Sequence, residues 1–232
     1  MLSEPRSISY ILECIHAPIR HDPQVLKRLY AKTVEEPLLG YSNFNTGPAG
    51  AQMTAVHGPA SFPNTTSHSV LAVAADRIQL KEEWPSISVE DFISKSQLAL
   101  GLVFEELKIP GFVAVQAMVR CLVSPQGVDD CRAWLNEQFV GLNENDVTSL
   151  GRAPGLFGLR LAFPGTEEDP GLHNVRVESF GGDNRSVFLE DSAVYSGQIA
   201  PDQLDRIENA MSGAYDFLTG NVMNWLDSNA SR

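Results

Sequence analysis

Apolar positions along this chain alternate between strand-like and helix-like spacing, in an order that occurs twice. Ile8 to His16 is an apolar stretch with β-branched residues, which predicts a strand. Asp22-Pro23 follows. A carboxylate at the N-cap and a proline in the first turn predict a helix start, because that turn leaves N–H groups unpaired. Val25, Leu26, Leu29, Tyr30 and Val34 continue at helical spacing until Pro37 ends the run. Strand-like pieces come next at Tyr41 to Thr46, Ala51 to His57, Ser69 to Ala74 and Ile78 to Glu82, separated by turn-forming breaks. Ser88 with Asp91 has capping-box spacing and opens a helix with the stripe Phe92, Ser96, Ala99, Val103, Leu107. Trp84 and Phe92 are expected to pack together where that helix begins.

The second half repeats the order. Phe112 to Val123 predicts a strand, and Val128, Cys131, Leu135 and Phe139 predict a helix. Leu156 to Phe163 alternates, with Phe157, Leu159, Leu161 and Phe163 on one face and Arg160 on the other. His173 to Phe180 and Arg185 to Asp191 predict a hairpin around Gly181-Gly182-Asp183-Asn184, residues that tolerate positive φ. Pro201 is expected to start the last helix, whose stripe runs Leu204, Ile207, Met211, Ala214, Leu218, Val222, Trp225. The expected class is α+β: two βαβ(3-4)α units, residues 1–109 and 110–232, with antiparallel sheet and the long helices packed on one face. The units are expected to associate tightly or to share one domain.

Composition narrows the partners. The chain has 232 residues and a formal net charge of −12. That balance argues against a nucleic-acid backbone or an anionic membrane surface, which would repel it. No apolar run approaches the roughly 20 residues that span a bilayer. The first residues lack a basic segment followed by an apolar one, so a cytoplasmic location is expected. Cys14, Cys121 and Cys131 have no CxxC spacing and sit in apolar patterns, which reads as reduced buried thiols. Neither a metal site nor a cofactor is predicted, because no close pair of Cys or His supplies half a tetrahedron and no glycine-rich segment matches a phosphate-binding pattern.

The candidate chemistry is sparse. His57 and His68 flank the loop Gly58 to Ser67. As a pair they would offer two imidazoles at the mouth of one hairpin; otherwise they are unrelated surface histidines. His16 and His21 bracket the first strand–helix turn and read as neutral, solvent-exposed rings. Asp129-Asp130 and Glu167-Glu168-Asp169 read as solvated charge rather than cation ligands. In the second half, Leu159, Leu161, Val175 and Val177 share one strand parity, while Arg160, Arg176 and Glu178 share the other. With helices on the apolar side, that second parity is either a solvated sheet face or a wall that binds a carboxylate or phosphate. No catalytic constellation is predicted.

The duplicated element order resembles the TATA-binding-protein-like arrangement and the related helix-grip folds, in which helices cover one side of a curved antiparallel sheet. More locally, Ala75-Asp-Arg-Ile-Gln-Leu, Glu83-Trp84, Val89-Glu-Asp-Phe-Ile, Val187-Phe-Leu-Glu-Asp and Ala214-Tyr-Asp-Phe-Leu resemble segments of a sporadically distributed family of uncharacterised bacterial proteins of about this length. That family usually carries an arginine-rich strand after the middle helix, whereas Phe112 to Val123 holds only Arg120. The resemblance implies no activity. The functional expectation is a cytosolic binding or assembly module without catalysis, acting as a homo-oligomer or with a protein partner. The alternative is a small-molecule carrier or enzyme with a cavity between sheet and long helix, using Arg160, Arg176 and Glu178 with His57 and His68 at its rim.

Overall fold

The structure, a computed structural model, describes residues 1–60 and 62–229. It is α+β, built around one antiparallel nine-stranded sheet. The first half contributes β1 (Arg6–Ile15), α1 (Pro23–Glu35), β2 (Asn43–Gly47), β3 (Gly50–Pro59), β4 (Thr66–Ala74), β5 (Arg77–Glu83) and α2 (Val89–Leu107). The second contributes β6 (Phe112–Val123), α3 (Cys131–Leu135), α4 (Glu144–Ser149), β7 (Gly158–Phe163), β8 (Leu172–Ser179), β9 (Val187–Ile199), α5 (Asp205–Asp216) and α6 (Met223–Asn229). The strand order is β2-β3-β4-β5-β1-β6-β9-β8-β7, so the first strand of each half meets the other at the centre. Among the described residues, no helix is long and apolar enough to cross a membrane.

One parity of the sheet supplies the core. Tyr10, Leu12 and Cys14 on β1, Leu71 and Val73 on β4, Val115, Ala117 and Val119 on β6, and Val175 and Val177 on β8 are all buried with the helix stripes. On this side Tyr10 stacks on Phe92 of α2, and Thr33 of α1 donates to Met53 of β3. The α2 start has both halves of its capping box, Asp91 N–H to Ser88 Oγ and Ser88 N–H to the Asp91 carboxylate.

Several elements depart from the sequence reading. Trp84 does not pack on Phe92. It adopts φ +49, donates its N–H to Ile8 O, and stacks on Phe62 at 5.1 Å. The last helix begins at Asp205 because a series of i→i−3 bonds, Gln203 to Ala200 and Arg206 to Gln203, first forms tight turns after Pro201. It is then interrupted by a π turn over Phe217–Val222. A second π turn, Asn136–Val140, cuts short the helix expected up to Phe139. The short α4 was not anticipated, although Asn143 and Asp146 form its capping box.

The opposite parity carries polar side chains and curls inward. Phe62, between β3 and β4, meets Phe180, just after β8, at a centroid distance of 5.8 Å. In a flat sheet β4 and β8 would lie roughly 24 Å apart, being five strand steps away from each other. Twist and the reach of the two connections together bring these rings into contact.

Candidate functional site on the opposite sheet face

The pairing register aligns His68, Glu83, Ser9, Arg120, Glu190, Arg176 and Arg160 in one row across β4, β5, β1, β6, β9, β8 and β7. The row alternates in charge over most of its length. His68 Nε2 lies 2.9 Å from Glu83, which also pairs with Lys81. Arg120 Nε donates to Glu190 Oε2 at 2.6 Å, and Arg176 Nη1 donates to Glu190 Oε1 at 3.1 Å. Arg176 closes a two-pronged bond on Glu178, at 3.2 and 2.8 Å, and its guanidinium lies over the Phe188 ring. Hydrogen bonding to Glu178 outweighs the effect of burial and, with Glu190, holds the Arg176 guanidinium above its ordinary pKa.

Ser9, in the middle of the row, is 3% exposed, and its Oγ has no hydrogen-bond partner among the described residues. It lines a cavity of about 220 Å³ with Ile8, Trp84, Phe188, Arg120 and Glu190. A second cavity of about 270 Å³ lies on the other side of Arg120, where Glu13, Gln79, Lys81 and Gln116 surround Ile11 and Met118. Arg120 therefore stands between two hollows on one face. Neither of its Nη atoms donates to a protein acceptor among the described residues.

The candidates named from sequence are dispersed differently from the expectation. Arg176 and Glu178 join this network. Arg160 lies opposite Arg176 on edge strand β7 and is exposed, with no ion pair among the described residues. His57 and His68 are not brought together. A β-bulge between Val56 and Gly58 accompanies His57, which turns to the core side, while His68 stays on the opposite face.

On the core side His57 Nε2 lies 2.5 Å from Ser69 Oγ. Lys95 of α2 donates to that hydroxyl at 2.8 Å and to Glu82 at 2.6 Å, and Ser69 Oγ donates to Glu82 at 2.8 Å. A serine beside a lysine has the composition of a nucleophile and its base. Here Ser69, Glu82 and Lys95 are all buried and their bonding is satisfied, so no substrate reaches the hydroxyl. The cluster is a structural tie between α2 and the sheet.

A second cluster, around the buried His173 and Asp191, corrects the reading of Glu167-Glu168-Asp169 as solvated charge by drawing Asp169 out of that run, while Glu167 and Glu168 are exposed as that reading has them. His173 Nδ1 lies 2.6 Å from Asp191, and its Nε2 lies 2.8 Å from Asp169. Burial alone would lower the His173 pKa, but the two carboxylates outweigh it and raise the value. The imidazole packs on Phe217, in the π turn, with ring centroids 4.4 Å apart. His16 is likewise buried rather than exposed, with Nδ1 2.8 Å from Ala17 O.

Another cavity, about 550 Å³, lies between the β1–α1 connection and the Gly47–Gly50 turn. Its ionisable side chains are Arg20 and His21, and His21 Nε2 is already engaged at 2.9 Å from Ala74 O. It therefore lacks the convergent polar groups of the Ser9–Arg120 hollow. Among the described residues, no group of three or more His, Cys, Asp or Glu side chains is arranged to hold a metal ion.

Ser9, Arg120 and Glu190 were not anticipated as site residues. Arg120 had a signal: it is the one charged residue within β6. Ser9 had half of one, because Ile8, Tyr10, Leu12 and Cys14 leave it on the other parity. No protein-family model matches this sequence, and no curated protein matches it.

Proposed function

We propose that this protein is a binding module whose working surface is the sheet face carrying Ser9, Arg120 and Glu190. One observation carries the reading: a partnerless buried hydroxyl stands beside a half-engaged guanidinium in a hollow walled by Trp84 and Phe188. A ligand site leaves donors open for its occupant, and here the open hydroxyl shares its hollow with the unengaged end of Arg120. The chain is read as a duplication, with β1 and β6 as paired central strands. The order runs outward as β5-β4-β3-β2 on one side and β9-β8-β7 on the other. On this reading the helices of both units cover one face and leave the other free. A carrier with its cavity between sheet and helices is the weaker reading, because Arg176 and Glu178 belong to the parity opposite the core residues Val175 and Val177.

The test is a nuclear magnetic resonance screen of charged and uncharged small fragments against the labelled protein. The sequence has three tryptophans, and their indole N–H signals report different places. Fragments are expected to move the Trp84 signal while leaving Trp134 and Trp225 in place. Hits that move only Trp134 or Trp225 sink the reading. Assembly is the second function compatible with an exposed edge at β7, and light scattering at micromolar concentration reads it directly.

A further inference from the structure

We propose that the Ser9–Arg120 hollow is a site for a small monocarboxylate with an apolar or aromatic body; this rests on the face being the binding surface. The hydrogen-bonding capacity left open there is chiefly on donors, with the Ser9 hydroxyl able to accept as well. Ser9 Oγ–H has no acceptor, and both Nη groups of Arg120 have none among the described residues. The acids of the row are already answered, Glu190 by Arg120 and Arg176, and Glu83 by His68 and Lys81. What is missing is therefore an acceptor with two oxygens, and an ionised carboxylate is acceptor-only with that geometry. One oxygen would take the Arg120 fork and the other the Ser9 hydroxyl.

The surroundings select a single charge over a double one. Glu83 and Glu190 line the hollow and Glu178 adjoins it, in a chain of net charge −12. A phosphate dianion doubles its attraction to Arg120 and its repulsion from these carboxylates alike, but its desolvation cost grows with the square of its charge, which favours the monoanion. The remaining walls are Arg176, already held by Glu178 and Glu190, and the apolar Ile8, Trp84 and Phe188. Trp84 is fixed there by its Phe62 stack and by a left-handed backbone that only a well-supported site retains. A volume of about 220 Å³ is below the roughly 300–1,000 Å³ of drug-sized pockets, so the occupant is small or is the end of something larger. The carboxylate has two sources, a free organic acid or the C-terminus of a peptide.

The experiment titrates the full chain with 3-phenylpropanoate, with 3-phenylpropanamide as its uncharged counterpart, and with Gly-Gly-Phe in free-acid and amidated forms. The Trp84 indole signal is the readout. The acid is expected to bind about tenfold or more tightly than the amide, as loss of a charge-assisted bond requires. Arg120→Gln is expected to remove that preference, and Ser9→Ala to weaken the acid about fivefold. Ser9→Ala deletes a hydroxyl that holds nothing in the fold, so it tests the site even if Arg120→Gln unfolds. Binding of the free-acid peptide with the same Arg120 dependence assigns the site to chain ends; binding of 3-phenylpropanoate alone assigns it to free acids. Equal binding of acid and amide, no binding of any carboxylate, or an acid affinity unchanged in Ser9→Ala overturns the proposal. If acids show no preference over uncharged probes but both still move Trp84, the binding face survives and only the carboxylate assignment falls. If probes bind but leave Trp84 unmoved, both fall.

Discussion

On the core face, each half of the chain buries one acid on the strand that flanks its central strand, and the two halves compensate it differently. Glu82 on β5 is met by Lys95, a cation sent down from α2. Asp191 on β9 is met by His173 from the neighbouring strand β8, whose other nitrogen reaches Asp169 in the β7–β8 connection. The first arrangement ties a helix to the sheet with a lysine. The second ties a loop to the sheet with a ring whose pKa those carboxylates raise, and Phe217 in a π turn takes the place that a helical cation has in the first half. Similar burial of an acid thus gives one half a fixed tie and the other a protonation-dependent one.

Removing the cation is the most severe way to break this comparison. Lys95→Ala leaves Glu82, 2% exposed, without its counter-charge, and the expected loss is about 3–5 kcal/mol in urea unfolding. Lys95→Met with Glu82→Leu is expected to recover most of that loss, because the desolvation penalty disappears with both charges. A loss below about 1 kcal/mol for Lys95→Ala would mean that the tie is held by packing alone rather than by charge.

The histidine tie is tested by pH rather than by a single number. The folded pKa of His173 is raised, so its stabilisation is fully present below the ordinary histidine value of about 6.5 and is lost as pH rises through the folded value. One proton changes stability by at most about 1.4 kcal/mol per pH unit. Unfolding free energy is therefore expected to fall across this window in the natural protein. In His173→Gln that slope should flatten, and an identical slope in both proteins removes His173 as its source.

The two ties were unequally legible. The capping box at Ser88 placed α2 correctly, and its Phe92–Leu107 stripe is buried as the spacing implied. β6 begins and ends where its apolar run does. Alternation in β7 put Arg160 opposite Leu159 and Leu161 without any knowledge of pairing. By contrast, Ser192 to Ile199 extends β9 through polar residues because β6 supplies hydrogen-bonding partners, which no local pattern encodes. The Ser9–Arg120 neighbourhood depends on the register between two strands far apart in sequence. His173 and Asp169 meet across Pro170-Gly171, and the acidic run around Asp169 resembled ordinary surface charge. The π turn is equally silent in sequence: the stripe through Leu218 and Val222 is buried as expected, but the hydrogen-bond spacing beneath it changes.

Arg160 gives the smallest effect and separates the middle of the charged row from its end. Arg120 and Arg176 share Glu190 between them, while Arg160 faces Arg176 directly across β7 and β8 with no acid of its own among the described residues. Like charges directly opposite on a sheet destabilise it, so Arg160→Gln is expected to stabilise the fold by about 0.2–0.5 kcal/mol. The gain should shrink at about 1 M salt, where the screening length falls to about 3 Å. Arg160 is also the one charge on β7, an edge strand. Its loss leaves that edge less guarded against pairing with another chain, so light scattering should show more association in the variant at matched concentration. A destabilisation greater than about 0.5 kcal/mol exceeds the usual surface range and would instead tie Arg160 energetically to Glu178 and Glu190. In that case the row would act as one network out to its edge, rather than ending at Arg176.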